Sequence, residues 1–392
     1  MGMKRWRSLS VFVLVLTAVY LYALPSATIL YFVNVALHSG LGVLVALALL
    51  VYLFRGLARD SLLTKFGWLF LTVGAALGIV LIVAFLKISR IGLSSTVQQI
   101  RNVRRTPLGG VILLNFVLVL VSTEKWRAID DALRGSLDTP QKRSTSFALT
   151  SAGLAIGTFL PVQIAMSSTR TFGTHGHGSA LKRGTAGTLY EQSFDVMTTL
   201  LLAVASTATW LLRGGVIMWT FTAVLMMATG LLVAGPAVKF IEWVAGSFAV
   251  RISNSESWTK TALKNLADLM HSGLLGVPLA RRLVLLSCAR FVVVVLMSVG
   301  TARAIGLHIP FWKMAAAVPF VAMSSLIALT PGGLGVNEIT SVAGLGLFGV
   351  SLVAGGQWAL ANRVLITFSY FIVAGCAMAL LAMKRLVGPL RP

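Results

Sequence analysis

Ten apolar runs recur along the sequence, at 11–24, 40–54, 66–86, 109–122, 146–160, 194–212, 216–234, 283–300, 311–329 and 357–383. A helix that crosses the hydrocarbon core of a bilayer needs about 20 mostly apolar residues. Runs of this length and number leave no room for an ordinary soluble core. Those shorter than 20 residues can be tilted, extended by their flanks or re-entrant. They read as helices and not as barrel strands, because a barrel strand alternates inward and outward over about ten residues, whereas 43–53 is apolar on every face. The expectation is an all-α polytopic membrane protein with eight to ten membrane elements. Composition agrees: 57% of the 392 residues are hydrophobic and 11% are charged, against roughly 25% charged in a soluble domain.

The charge that is present is strongly basic, 33 Lys plus Arg against 11 Asp plus Glu, for a formal net charge of +22. A balance of this kind can signal nucleic acid. Here, however, the cations sit between the apolar runs: Lys4, Arg5 and Arg7, then Arg55 and Arg59, then Lys87, Arg90, Arg101, Arg104 and Arg105, then Arg281 and Arg282. That is the pattern of membrane topology set by positive loops and of contact with anionic headgroups, and no nucleic-acid partner is expected. The N-terminus and the segment 87–105 are expected to face the cytoplasm of a cell membrane. The run 11–24 resembles either a signal peptide or a retained first helix, and the many spans that follow favour retention. Cys288 and Cys376 fall inside apolar runs and read as small buried residues.

The connections are short. The longest, 236–282, holds a polar stretch at 253–257, then Trp258, Leu263, Leu266, Leu269 and Met270 at helical spacing, an amphipathic surface helix by pattern. It is too small for a catalytic domain of its own. No GxxxxGK[ST], HExxH or paired CxxC occurs. Gly344, Gly346 and Gly349 spell GxGxxG inside an apolar run and not after a strand, so no dinucleotide fingerprint is read there. His175 and His177 in a glycine-rich stretch are too few for a metal centre. Neither metal nor cofactor is expected.

Two places interrupt the apolar pattern with chemistry. In Ala328-Leu-Thr-Pro-Gly-Gly-Leu-Gly-Val-Asn-Glu338, Pro331, Gly332, Gly333 and Gly335 oppose a continuous helix. Glu338 then opens the next apolar stretch. Broken backbone at membrane depth survives only inside protein or along a wet cavity, and it leaves N–H and C=O groups ready for a ligand. The competing reading is a tight surface loop in which Glu338 supports a helix N-terminus. The second place runs from Gly157-Thr-Phe-Leu-Pro161 through Arg170 and Lys182-Arg183 to Tyr190-Glu191-Gln-Ser-Phe-Asp195. Glu191 and Asp195 share one helix face and can pair with Arg170, Lys182 or Arg183. They can equally be capping charges at a solvated helix end. The similar order of the two places suggests an internal repeat built on two helix breaks. Arg290 and Arg363 lie within apolar runs, so each must face protein, a wet cavity or a carboxylate.

Pro331-Gly-Gly-Leu-Gly-Val-Asn-Glu338, followed by Leu347-Phe-Gly-Val350, resembles the hallmark of the lysylphosphatidylglycerol synthase transmembrane-domain family. Glu124-Lys-Trp-Arg127, Leu160-Pro161, Arg170 and the stretch from Glu191 to Asp195 are similar to that family in its usual order. The resemblance spans roughly 109–383, so the expected organisation is N-terminal helices and a basic loop at 1–108, a family-like domain at 109–384, and a tail at 385–392. One departure stands out: relatives place Gly and an acid between the Leu-Pro turn and the arginine, whereas this stretch reads Val-Gln-Ile-Ala-Met-Ser-Ser-Thr. The resemblance implies a flippase-like domain without the soluble synthase domain, not an enzyme. It would move an anionic, aminoacylated or isoprenoid-linked lipid between leaflets, as a homodimer or within an envelope-synthesis complex. The alternatives are a non-catalytic subunit of such a complex and an integral-membrane glycosyl- or phospho-transferase. With Arg290 and Arg363 added from their place inside apolar runs, the expected substrate-binding residues are Arg170, Glu191, Asp195, Arg290, Pro331, Gly332, Gly333, Gly335, Glu338 and Arg363.

Overall fold

The computed structural model describes residues 101–133, 141–158, 162–173, 179–251, 276–327, 333 and 335–387, together with Val80, Phe85, Gln98 and Gln99. The chain divides into two compact units, Met1–Val73 and Gly74–Pro392, and every described residue belongs to the second. The runs 11–24 and 40–54, the loop histidines His175 and His177, the Leu160-Pro161 turn, Pro331, Gly332 and the segment 252–275 lie outside the described residues.

The protein is an all-α polytopic membrane protein. Among the described residues there are ten helices: α1 Arg105–Leu133, α2 Arg143–Ile156, α3 Val162–Gly173, α4 Ser179–Leu211, α5 Val216–Leu232, α6 Ala234–Arg251, α7 Val277–Ala304, α8 Phe311–Ile327, α9 Val336–Leu347 and α10 Leu352–Val387. Four stretches are long and apolar enough to cross a bilayer, Arg105–Leu133, Ala186–Leu211, Val277–Ala304 and Leu352–Met383. The pair α5 and α6, bent by 64° at their junction, meets the same measure only when taken together, as a broken span or a re-entrant loop. The bend has a local cause: α5 ends at Leu232 with Val233 as its cap, and Pro236, lacking an N–H, fits only the first turn of a new helix. This corrects the expectation of one polar connection from Pro236 to Arg282, since α6 and the first turns of α7 occupy both of its ends. Outward-facing Ile217, 83% exposed, and Phe221, Leu113 and Trp243 give the bundle an apolar exterior.

The helices follow one order twice. A long helix, a pair of short helices and a second long helix appear as α1, α2–α3, α4 and again as α7, α8–α9, α10. The packing repeats as well: α2 lies on α3 as α8 lies on α9, α3 on α4 as α9 on α10, α2 on α10 as α8 on α4, and α1 on α10 as α7 on α4. The two leading helices, α1 and α7, pack most extensively and run antiparallel. The Arg104 N–H, at the start of α1, donates to the Ala304 carbonyl at the end of α7 (2.9 Å), and Leu118 meets Val293 and Met297 further in. The second four-helix repeat is therefore inverted relative to the first.

The short helices have 14, 12, 17 and 12 residues, about 18–26 Å at 1.5 Å per residue. Each pair is thus a hairpin of part-spans, and the inversion sends the two hairpins into the bundle from opposite ends. The main core gathers Val295, Val299 and Ala302 of α7 against Ala315–Val318 of α8 and Leu345 of α9.

Candidate functional site: buried ion pairs at two hairpins

Four helices bring five charged side chains together around the first hairpin. Lys125 comes from α1, Arg170 from α3, Glu191 and Asp195 from successive turns of α4, and Arg290 from the middle of α7. Close packing makes this reach feasible: a Cβ on Gly187 would stand 2.9 Å from the Trp126 ring, so only glycine lets α4 approach α1 this closely.

Both carboxylates are ion-paired. Asp195 accepts from Lys125 Nζ, from Ser287 Oγ (2.7 Å) and from Arg290 Nη1 (3.2 Å). Arg170 Nη1 lies 2.5 Å from Glu191 Oε2 and donates to Thr188 Oγ1 (3.1 Å), while Lys125 Nζ is 3.9 Å from Glu191 Oε1. The Arg170 guanidinium also stacks 4.5 Å above the Trp126 ring. Lys125 and Arg170 are fully buried, whereas the Arg290 side chain is 30% exposed. Three cations face two carboxylates, so with all five ionised the cluster holds one positive charge in excess, and Arg290 is its most accessible member.

The second hairpin holds a simpler arrangement. Gly333 and Gly335 have φ of 69° and 81°, the left-handed region that glycine tolerates. These turns start α9 with Glu338 in its first turn, where one carboxylate oxygen accepts from the Gly335 N–H (2.7 Å) and the other from Arg363 Nε of α10 (2.7 Å). Asn337 Oδ1 accepts from Ser324 (3.2 Å) and Ser325 (2.9 Å) of α8, tying the two arms together. Glu338 is buried, and the Arg363 side chain is 25% exposed. The two hairpins carry opposite charges in equivalent places. Around the first, the cation is on the second short helix and the acid on the following long helix; around the second, these are exchanged.

Residues 68–375 match the lysylphosphatidylglycerol synthase TM region family. The chain belongs to that family. Comparison with curated proteins and with solved structures finds no match for it. Within the family region the structure divides the expected residues into two groups. Arg170, Glu191, Asp195 and Arg290 share one cluster; Gly333, Gly335, Glu338 and Arg363 share the other; Pro331 and Gly332 lie outside the described residues. Of the three cations that could serve Glu191, Arg170 reaches it; the Lys182 and Arg183 side chains lie outside the description. Lys125, Thr188 and Ser287 were not among the expected site residues. Lys125 could have been found: a lysine amid Glu124-Lys-Trp-Arg127, continuing the helical phase of the apolar run before it, must face protein. Ser287 carried no such sign, because serine is unremarkable in a membrane helix.

Proposed function

We propose that the protein moves a lipid with an anionic headgroup between the leaflets of a cell membrane. Membership of a lipid-associated membrane family gives the setting. The observation that carries the reading is the pair of partly exposed arginines, Arg290 and Arg363, each well inside a candidate span and each ion-paired with a carboxylate. A cation at that depth is costly unless it serves protein or a wet path. A partly exposed guanidinium is suited to phosphate. The surplus positive charge at Arg290 supports an anionic cargo, and the inverted hairpins offer one approach from each leaflet.

The reading is of transport and not of group transfer. Glu191, Asp195 and Glu338, the described carboxylates nearest membrane depth, are each bound by cations, which leaves them poor metal ligands or general bases. We further place the N-terminus and the basic segment before α1 in the cytoplasm, on the lysine and arginine bias. Impermeant labelling of a cysteine at Ser94 from inside only is the expected outcome.

The test of transport is leaflet exposure of labelled lipids in proteoliposomes, across phosphatidylglycerol, its aminoacylated form, a polyprenyl phosphate and phosphatidylcholine. Anionic headgroups should move faster than phosphatidylcholine, and Arg290→Gln should slow them at least tenfold. Equal rates for charged and zwitterionic lipids, or an Arg290→Gln variant that transports like the wild type, would remove Arg290 and its surplus charge from the reading.

A further inference from the structure

At the end of the bundle where α1 begins, a cavity of about 520 Å³ opens between three helix ends. Its walls are Thr209, Trp210 and Arg213 from the end of α4, Trp312 from the start of α8, and Leu347 and Phe348 from the end of α9. Because α4 is a candidate span that terminates here, the cavity sits where hydrocarbon gives way to headgroups. Trp210 and Trp312 are the side chains that settle at that boundary. Lys313 stands beside the cavity with its ammonium 5.8 Å from the Trp312 ring centre.

The backbone at Arg213 supplies an independent observation. Three helices close at this end with the same capping turn, in which one N–H reaches back five residues and its predecessor three. After α7 the pair is Leu307 to Ala302 and Gly306 to Arg303; after α9 it is Val350 to Leu345 and Gly349 to Gly346; after α4 it is Gly214 to Thr209 and Arg213 to Trp210. The turn needs one residue in the left-handed region, which is usually glycine. Gly306 (φ 82°) and Gly349 (φ 73°) fill it in two cases. In the third it is Arg213, at φ 50°, although Gly214 and Gly215 come next in the chain. A strained side chain held where glycine would be at ease points to a use for that side chain. Here it lines the cavity.

Charge selects the occupant. Arg101, Arg104, Arg105 and Arg303 join Arg213 and Lys313 at this end of the bundle, linked through the Arg104–Ala304 hydrogen bond. The described carboxylates lie elsewhere: Glu124, Asp130 and Asp131 in the last turns of α1, Glu242 on α6 beside them, and Glu191, Asp195 and Glu338 in the ion pairs. Exposed Leu211, Leu212 and Ile217 continue the cavity wall into an apolar flank. We infer that this cavity binds a single anionic glycerophospholipid from the leaflet on this side, its phosphate between Arg213 and Lys313 and its acyl chains along the flank of α4 and α5. The site is separate from the ion-paired hairpins and does not rest on the transport reading.

Binding is read directly on the full chain. The protein is placed in nanodiscs containing equal phosphatidylglycerol and phosphatidylcholine, then released, and the retained lipids are counted by native mass spectrometry. Wild type should keep one phosphatidylglycerol per chain in preference to phosphatidylcholine. Arg213→Gly should reduce that preference about fivefold, the worth of one cation near a membrane surface, while thermal unfolding stays unchanged or improves because glycine suits the backbone there. Arg213→Lys should retain most of it, and Lys313→Gln should lower it on its own. Unchanged retention in both Arg213→Gly and Lys313→Gln would overturn the site. Displacement of the bound lipid by inorganic phosphate or soluble glycerophosphate at comparable concentration would overturn the assignment to lipid.

Discussion

The two hairpins hold equivalent places in an inverted repeat, yet one lies in a dense charge cluster and the other carries a single tethered pair. Around α2–α3, Lys125, Arg170 and Glu191 are sealed from solvent and ion-paired with one another. Around α8–α9, Glu338 is buried, but its partner Arg363 keeps a quarter of its side chain exposed. The first arrangement resists change, since losing one member strands charges that no water can reach. The second can exchange an arginine donor with an arriving anion at small cost. A shared topology thus supports a rigid anchor on one side and a reachable contact on the other. Arg290, belonging to the first cluster yet 30% exposed, is the point where the two characters meet.

The sharpest way to break this contrast is to neutralise the acid on each side. Glu191→Gln should destabilise by about 3–5 kcal/mol, seen as a lower unfolding temperature in detergent and reduced abundance in the membrane. Glu338→Gln should be milder, because the amide oxygen can still accept from the Gly335 N–H and the freed Arg363 is partly hydrated. Equal losses in the two variants would mean that the hairpins are energetically alike after all.

The backbone of the second hairpin comes next. Gly333→Ala places a Cβ 2.4 Å from the Asn337 side chain at a φ of 69°. The expected cost is about 1–3 kcal/mol, with lipid movement lost while the protein remains in the membrane. A surface turn would shift by less than about 0.5 kcal/mol, so thermal unfolding measured beside leaflet exposure separates the two.

Arg363→Gln leaves the buried Glu338 carboxylate without its cation, so it should cost about 1–3 kcal/mol and slow anionic lipid movement severalfold. A stable variant with undiminished transport would reassign Arg363 to structure. The smallest effect is expected at Arg143, 77% exposed and 3.8 Å from Glu124. Arg143→Gln should stay within about 0.5 kcal/mol and leave transport as it is, which calibrates the larger numbers.

The sequence by itself determined the solvent and the class of fold. Apolar runs at bilayer length admit only helices, because a backbone in hydrocarbon must satisfy its own hydrogen bonds. It also marked both helix breaks, since proline and clustered glycines oppose a helix wherever they fall, and it flagged Arg290 and Arg363, since a cation within an apolar run demands a partner. It did not determine which partner. Glu191 had three nearby cations to choose from, and local spacing ranks them equally; Asp195 reached Ser287 and Arg290 about ninety residues away. Those choices were made by the antiparallel packing of α1 on α7 and by the close approach at Gly187, which are long-range contacts with no periodic signature. The inversion of the repeat, and the use of Arg213 where two sister turns use glycine, were likewise decided only in three dimensions. A residue's φ and the direction of a helix across a membrane depend on what the rest of the chain packs against it.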